Sequence, residues 1–197
     1  MPREPKKPRR AKKATAPDAF EHSPHGRLMT RREMMLSFVR NRFVRTAIET
    51  SFMKAGALVA HTLLNRARFS KAELEELRDY DMTRRKGGKW LLASVVGAPM
   101  WEEIFFRAFP SKLLNQYMPG KTKETVWEAG IPISMIFAVA HIPNVPKKFQ
   151  GKFMPISQFM MGCYYWYVMR QRGLLPAMAS HSEANALIPV LEKVFRL

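Results

Sequence analysis

The chain has 197 residues and a formal net charge of +17, because 33 Lys and Arg residues stand against 16 Asp and Glu residues. Such a balance indicates an anionic partner, either a nucleic acid or the negative face of a membrane. The single cysteine, Cys163, excludes an intramolecular disulfide and a zinc cluster built on cysteines. The length suits one domain with a sizeable core.

Residues 1–26 are rich in proline and in basic side chains, which predicts a disordered basic tail. The first basic residues are Arg3, Lys6, Lys7, Arg9, Arg10, Lys12 and Lys13. The tail is either a solvated arm or attracts anionic lipid, at ~1 kcal/mol per basic residue near the surface. It has no apolar core of a cleavable signal peptide. Specific nucleic-acid binding is not expected, because no aromatic residues alternate with the basic ones.

Residues 27–89 are predicted to form amphipathic, weakly membrane-associated helices followed by a water-exposed helix. The stretch "REMMLSFVRNRFVRTAIETSFMKAGALVAHTLLNRA" mixes apolar and basic residues, as in a helix on a membrane surface or on a partner. Its His61 is interpreted as structural. In "FSKAELEELRDYD", Ser70 and Glu73 can form a capping box, and Phe69 can pack on Leu74.

Residues 90–197 contain four largely apolar windows separated by basic residues. They are Trp90–Ser111 and the stretches between Lys123 and Lys147, between Lys152 and Arg170, and between Arg172 and Lys193. Each is close to the ~20 residues that a helix needs to cross a bilayer core. We therefore predict an all-α fold, a multi-spanning transmembrane helical bundle integral to the cell membrane. A buried helical bundle of a soluble protein is the alternative, because every window contains polar residues.

The first window contains two adjacent carboxylates and a guanidinium, in "PMWEEIFFRAF". On a helix, Glu103 and Arg107 are four residues apart and can form an ion pair on one face. Glu102 is rotated by roughly 100° from Glu103, so it can point into a cavity while its neighbour is neutralised. Polar groups in such windows are costly, and this makes them candidates for function.

Two further windows contain polar pairs at helical spacing. Phe137 and His141 share one face, and His181 and Asn185 lie one turn apart. With Glu102, these windows bring a carboxylate, two imidazoles and an amide, a set that suits general-base activation of water and stabilisation of an oxyanion. Glu102, His141 and His181 could also bind Zn²⁺ with an open position for water. A buried ion network and structural histidines remain the alternative reading.

Three segments resemble, in chain order, the motifs of the CPBP family of intramembrane proteases, also called the CAAX protease and bacteriocin-processing or Abi family. "APMWEEIFFRAF" matches the pattern EExxxR, "SMIFAVAHIP" matches FxxxH, and "LLPAMASHSEAN" matches HxxxN. The resemblance covers about residues 90–191. It implies a helical membrane protease, and it identifies 90–197 as the protease-like core.

The resemblance also implies a role for each matched residue. Glu102 would polarise the attacking water with the help of His141, and His181 and Asn185 would hold the oxyanion. Three further residues would brace the site: Glu103, Arg107 and Phe137. Family members are often described as metalloproteases, and a metal-free mechanism is equally open. The extra acid Glu183 should face away from the third motif, because it lies two residues from both of its members.

The expected function is an intramembrane endopeptidase acting on a membrane-associated or prenylated protein or peptide. Its substrate would be met in or at the membrane, in CAAX-type trimming or in bacteriocin or pheromone processing. The alternative is a non-catalytic membrane scaffold or a bacteriocin-immunity protein that keeps the same fold.

Overall fold

A computed structural model describes residues 41–84, 88–122 and 124–195. Within these ranges every regular element is helical and no strand occurs, which confirms the all-α prediction. The predicted basic tail, and with it the proposed contact to anionic lipid, lies outside the described residues. The described residues belong to one compact unit.

The helices follow one another with short connections. The α-helices are α1 (Arg42–Arg66), α2 (Lys71–Arg84), α3 (Gly88–Leu92), α4 (Ala98–Glu103), α5 (Phe109–Tyr117), α6 (Trp127–Val139), α7 (Lys147–Gln150), α8 (Ile156–Arg172) and α9 (Leu174–Phe195). Two π-helical segments, π1 (Ala93–Gly97) and π2 (Ile104–Ala108), join α3, α4 and α5 without a break. We call the run over residues 88–117 the composite helix. Short 3₁₀ turns cover Pro119–Lys121 and Ile142–Asn144.

All four apolar windows contain helix, as predicted: the composite helix, α6, α8 and α9. We also predicted that the windows cross a membrane. Among the helices of the described ranges, however, none combines the length and the apolar composition that a span requires. Two of them are shorter than the ~20 residues of a span, since α6 has 13 residues and α8 has 17.

Helix α8 is the centre of the bundle and packs against α1, α6 and α9. Its side chains Met161, Tyr165, Trp166 and Val168 are buried. The indole Nε1 of Trp166 donates to the carbonyl oxygen of Thr125 at 2.6 Å, so the largest core side chain also satisfies its polar atom. The residues of the predicted site lie on the composite helix, α6 and α9, and His141 lies in the turn that follows α6.

Helix α1 packs into the same bundle and holds α9 by polar contacts. The hydroxyls of Thr50 and Ser180 are 2.7 Å apart, and Ser51 donates to Glu183 at 2.9 Å. Because Ser180 precedes His181, these contacts help to set the position of the third motif. Glu183 therefore contacts α1, on the side of α9 where its spacing predicted it to lie.

Arg170, near the end of α8, makes hydrogen bonds to the composite helix and to the segment that follows it. Its guanidinium donates to Ser111 at 2.8 Å and Asn115 at 2.6 Å on the composite helix, and to the carbonyl oxygens of Lys121 at 2.5 Å and Glu124 at 2.8 Å. These bonds satisfy a largely buried cation and fix the end of the composite helix against α8. Arg170 therefore has a structural role.

The predicted capping box at the start of α2 is confirmed. The backbone N–H of Ser70 donates to Glu73 at 2.8 Å, and the Glu73 N–H donates to the Ser70 hydroxyl at 3.3 Å. Lys152 donates to Glu73 at 2.7 Å, and its hydrogen bond is the main cause that lowers the pKa of this carboxyl to about 2. Phe69 is buried, with its ring edge-to-face on Phe149 at 5.8 Å.

A methyl group at position 130 is expected to disrupt the contact between α6 and α8. A Cβ on Gly130 would lie 2.3 Å from Cδ1 of Trp166, a buried ring that cannot move away. Gly130→Ala should lower the free energy of unfolding by about 1–3 kcal/mol, measured by denaturant titration. Gly56→Ala is the matched control, because nothing lies within 4 Å of its Cβ; it should stabilise by about 0.5–1 kcal/mol. Equal effects of the two changes would contradict the close packing.

Candidate active site

The glutamate pair lies on a one-and-a-half-turn α-helix between two π segments. Helix α4 ends at Glu103, π1 precedes it and π2 follows it, and π2 contains Arg107. Each π segment changes the angular offset between the residues before and after it, and π-bulges are frequent at functional sites. Sequence spacing alone did not indicate these two irregularities.

Glu103 and Arg107 form the predicted ion pair. Their side chains are fully buried, with Nη1 of Arg107 3.6 Å from Oε1 of Glu103. The guanidinium carbon lies 4.0 Å from the centre of the Phe137 ring, and Nη2 is 3.5 Å from the carbonyl oxygen of Gly162. The cation is thus held by a carboxylate, a ring face and a backbone carbonyl.

Glu102 faces the two histidines that the motifs contribute. Its Oε2 lies 3.5 Å from Nε2 of His181 and 3.9 Å from Nε2 of His141. The side chains of Glu102 and His141 are 26% and 23% exposed, whereas that of His181 is 4% exposed. The three groups, which come from three separate regions of the chain, therefore meet at a place that is partly open to solvent.

The partners of the Nδ1 atoms orient both imidazoles. Nδ1 of His141 lies 2.7 Å from the carbonyl oxygen of Phe137, which only accepts, so this nitrogen carries a hydrogen. Nδ1 of His181 lies 2.9 Å from Oε1 of Glu103, and in this contact the ring N–H donates to the carboxylate oxygen. Both rings consequently turn Nε2 toward Glu102. In the neutral rings, Nε2 carries the lone pair.

The site contains two carboxylates but only one guanidinium, so one more proton is needed to make its net charge zero. With Glu102, Glu103 and Arg107 ionised and both imidazoles neutral, the site carries one net negative charge. Oε2 of Glu102 is buried and has no hydrogen-bond partner within the described ranges. A hydrogen-bond donor placed between Oε2 and the two Nε2 atoms would satisfy this set of acceptors.

Asn185 lies apart from these direct contacts. Its Nδ2 donates to the carbonyl oxygen of Ser94 at 2.8 Å, so one amide hydrogen holds α9 to π1. The second Nδ2 hydrogen remains for another acceptor. Phe137 lies beside His141, as predicted, with ring centres 4.6 Å apart, and it also contacts His181 edge-on at 5.9 Å.

Tyr165 is a residue of the site that the sequence reading did not identify. Its ring is buried and stacks on His181, with centres 4.4 Å apart and planes inclined by 20°. Together with the Glu103 hydrogen bond, this stack fixes the plane of the imidazole. Tyr165 is one of four adjacent aromatic residues in "YYWY", and nothing in the sequence distinguishes it from the other three.

The predicted zinc ligands suit zinc in their donor types but not in their spacing. Two ligands of a tetrahedral zinc, each at about 2.0–2.2 Å from the metal, lie roughly 3.3–3.6 Å from each other. The Glu102–His181 separation of 3.5 Å falls in this range, and the Glu102–His141 separation of 3.9 Å exceeds it. Among the described residues, no group of three or more His, Cys, Asp or Glu side chains is arranged to hold a metal ion.

Residues 87–187 match the protein family described as type II CAAX prenyl endopeptidase Rce1-like. The chain belongs to this family of membrane proteases. Membership implies a hydrolase that acts on a peptide or protein, and it supports a membrane location. Neither a search of the curated proteins nor one of the solved structures found a significant match.

Proposed function

We propose that this protein is an intramembrane endopeptidase that removes C-terminal residues from prenylated proteins or peptides. The observation that carries this proposal is the approach of one carboxylate oxygen, Glu102 Oε2, to the Nε2 atoms of His141 and His181. Family membership supports the proposed substrate class, a CAAX peptide carrying a prenyl group. The geometry supports the type of reaction, which is attack of water on an amide.

In the proposed reaction, water lies between Glu102 and His141. It donates hydrogens to Oε2 and to the Nε2 lone pair, which are acceptors facing each other in the protein. As the water oxygen forms a bond to the scissile carbonyl carbon, Glu102 takes its proton, and this proton then passes to the leaving amine when the C–N bond breaks. His141 keeps the water aligned, because its Nδ1 is fixed by the Phe137 carbonyl.

The negative charge that develops on the carbonyl oxygen needs hydrogen-bond donors. We assign this role to His181, in the form protonated on both nitrogens, and to the second Nδ2 hydrogen of Asn185. With His181 protonated, the charges of Glu102, Glu103 and Arg107 are balanced. Glu103 holds the imidazole through the 2.9 Å hydrogen bond to its Nδ1, and Arg107 pairs with Glu103.

The surface around the site supports a position in contact with lipid. Trp101, Phe105 and Phe109 follow one another at intervals of four residues on the composite helix and are 65%, 70% and 58% exposed. On α6, Ile136 and Val139 are 61% and 58% exposed. Exposed apolar surface of this kind marks a contact with a membrane or with another protein. We propose that it faces the bilayer, from which a prenylated substrate reaches Glu102 beside Trp101.

The test is cleavage of a peptide that ends in farnesyl-Cys-Val-Ile-Met by the protein purified in detergent, with products identified by mass spectrometry. We expect cleavage by the parent protein and none by His141→Ala. The same peptide without its farnesyl group is the control for the substrate class. Equal cleavage of both peptides would favour bacteriocin or pheromone processing, and binding without cleavage would favour the scaffold.

Replacement of Tyr165 tests the orientation of His181. Tyr165→Leu removes the stacked ring, and misplacement of a catalytic group by about 1 Å costs on the order of 10²-fold in rate. We expect kcat to fall about 10–100-fold while KM changes little. Tyr165→Phe keeps the ring and should restore most of kcat. A loss of the same size in both variants would show that the stack does not position His181.

The zinc prediction is tested by metal analysis and by chelation. Because the Glu102–His141 separation exceeds that of tetrahedral zinc ligands, we expect a chelator to leave the cleavage rate unchanged. Stoichiometric zinc, with cleavage that a chelator abolishes and added zinc restores, would instead make Glu102 and both histidines metal ligands.

A further inference from the structure

One face of α8 contacts residues of the site at two positions, Gly162 and Tyr165. Tyr165 stacks on His181, and Gly162 lies against Phe137 and Arg107, since a Cβ there would be 3.1 Å from the Phe137 ring. Gln158 is four residues before Gly162 and seven before Tyr165. Residues at this spacing share a face of a helix, so Gln158 extends the same stripe by one turn.

The contacts between α6 and α8 show which residue after α6 lies at the same height in the bundle as Gln158. Gly130 lies against Trp166, and Phe137 lies against Gly162, so the two helices run in opposite directions. One further turn along the chain after Phe137 is His141, and one turn back along α8 from Gly162 is Gln158. This places Gln158 at the level of His141, the more exposed of the two imidazoles.

Gln158 has a buried polar atom without a partner. In the described part of the chain, the buried side-chain oxygens and nitrogens that lack a hydrogen bond belong to Glu102, Glu103, Arg107 and Gln158. The first three are the residues of the first motif. An unsatisfied buried acceptor destabilises the fold, and such groups call for a functional explanation. The fourth residue belongs to none of the motifs, and it lies one turn along α8 from Gly162, which is packed against Phe137 and Arg107.

We propose that the side-chain amide of Gln158 binds the peptide backbone of the substrate beside the scissile bond. Its Oε1 accepts a hydrogen bond from a substrate backbone N–H. A primary amide offers an acceptor and donors in one plane, which matches a peptide unit. Gln158 thereby selects an extended peptide with a free N–H at that position and rejects proline or an N-alkylated residue there. This inference rests on the proposed function.

The test replaces Gln158 by leucine, which has a similar size and no polar atoms. On the farnesylated peptide, Gln158→Leu should lower kcat/KM about 3–10-fold, as expected for the loss of one hydrogen bond. Its melting temperature should stay the same or rise, because an unsatisfied buried amide has been removed. A purely structural glutamine would instead lower the melting temperature together with the activity.

A set of peptides, each methylated at one backbone nitrogen, identifies the partner of Gln158. At one position, methylation should reduce cleavage by the parent protein and cause no further loss in Gln158→Leu, since both changes remove the same hydrogen bond. Gln171→Leu is the matched control on α8, because Gln171 donates to Thr125 at the other end of the helix. It should leave kcat/KM unchanged.

A measurement of peptide binding tests this proposal independently of the proposed cleavage activity. The dissociation constant of the farnesylated peptide is measured on Glu102→Gln and on Glu102→Gln/Gln158→Leu by fluorescence anisotropy. A 3–10-fold weaker binding of the double variant supports the proposal, even where Glu102→Gln still cleaves and the proposed function fails. Equal dissociation constants, no binding of the peptide, or losses that multiply at every methylated position would overturn it.

Discussion

Glu102→Gln is expected to lower kcat for cleavage of the farnesylated peptide by about 10²–10⁴-fold, the usual contribution of a general base. The amide is nearly the same size as the carboxylate but cannot take a proton from water. Oε2 lies 3.5 and 3.9 Å from two imidazole nitrogens, and the neighbouring Glu103 cannot replace it, because Glu103 is fully buried and bonded to His181. KM should change little, because the group acts on the water.

The control for this substitution is Glu128→Gln, an exposed glutamate in the first turn of α6. It makes the same chemical change away from the site and should leave kcat unchanged. Circular dichroism and thermal melting of Glu102→Gln should match the parent, since its side chain is partly exposed. Cleavage by Glu102→Gln at the parent rate would refute the assignment of this residue as the base.

Arg107→Met is expected to lower the free energy of unfolding by about 3–5 kcal/mol, because it leaves the buried carboxylate of Glu103 without its guanidinium. Denaturant or thermal unfolding measures it. The double variant Glu103→Gln/Arg107→Met removes both charges and should recover part of the stability.

Arg45→Met is the matched control for the buried pair. Arg45 and Glu49 have the same spacing of four residues on a helix and lie 2.8 Å apart, but the Arg45 side chain is 65% exposed. Solvent screens such a pair, so its loss should change stability only slightly. If Arg107→Met were as mild as Arg45→Met, the ion pair would not be an important part of the site.

The candidate site could be predicted well from the sequence because its residues are chemically conspicuous. Glu102, Glu103 and Arg107 interrupt an apolar run, and their spacing predicted the ion pair that the structure contains. The histidines were found for the same reason. Sequence position did not show that Oε2 of Glu102 approaches both rings, because that distance depends on how three helical regions pack.

Other features of the site gave no sequence signal. The ring of Tyr165 lies on His181 only because α8 and α9 cross at that level. Gln158 is an ordinary residue at the start of α8, and its unpaired oxygen became visible only in the packed bundle. Asn185 was expected at the oxyanion, and the structure shows in addition a bond to Ser94 that one of its amide hydrogens makes.

The sequence by itself determined the helical class, the order of the three motifs and the family, since periodicity and residue chemistry are local properties of the chain. The tertiary structure decided which atoms face each other. In the folded chain α1 packs against α8 and α9, and two π segments flank the glutamates. Both Nε2 atoms face one carboxylate oxygen, because the Nδ1 partners orient the rings. These are properties of packing between distant residues, where hydrogen bonds and steric fit select one arrangement among many that the local pattern allows.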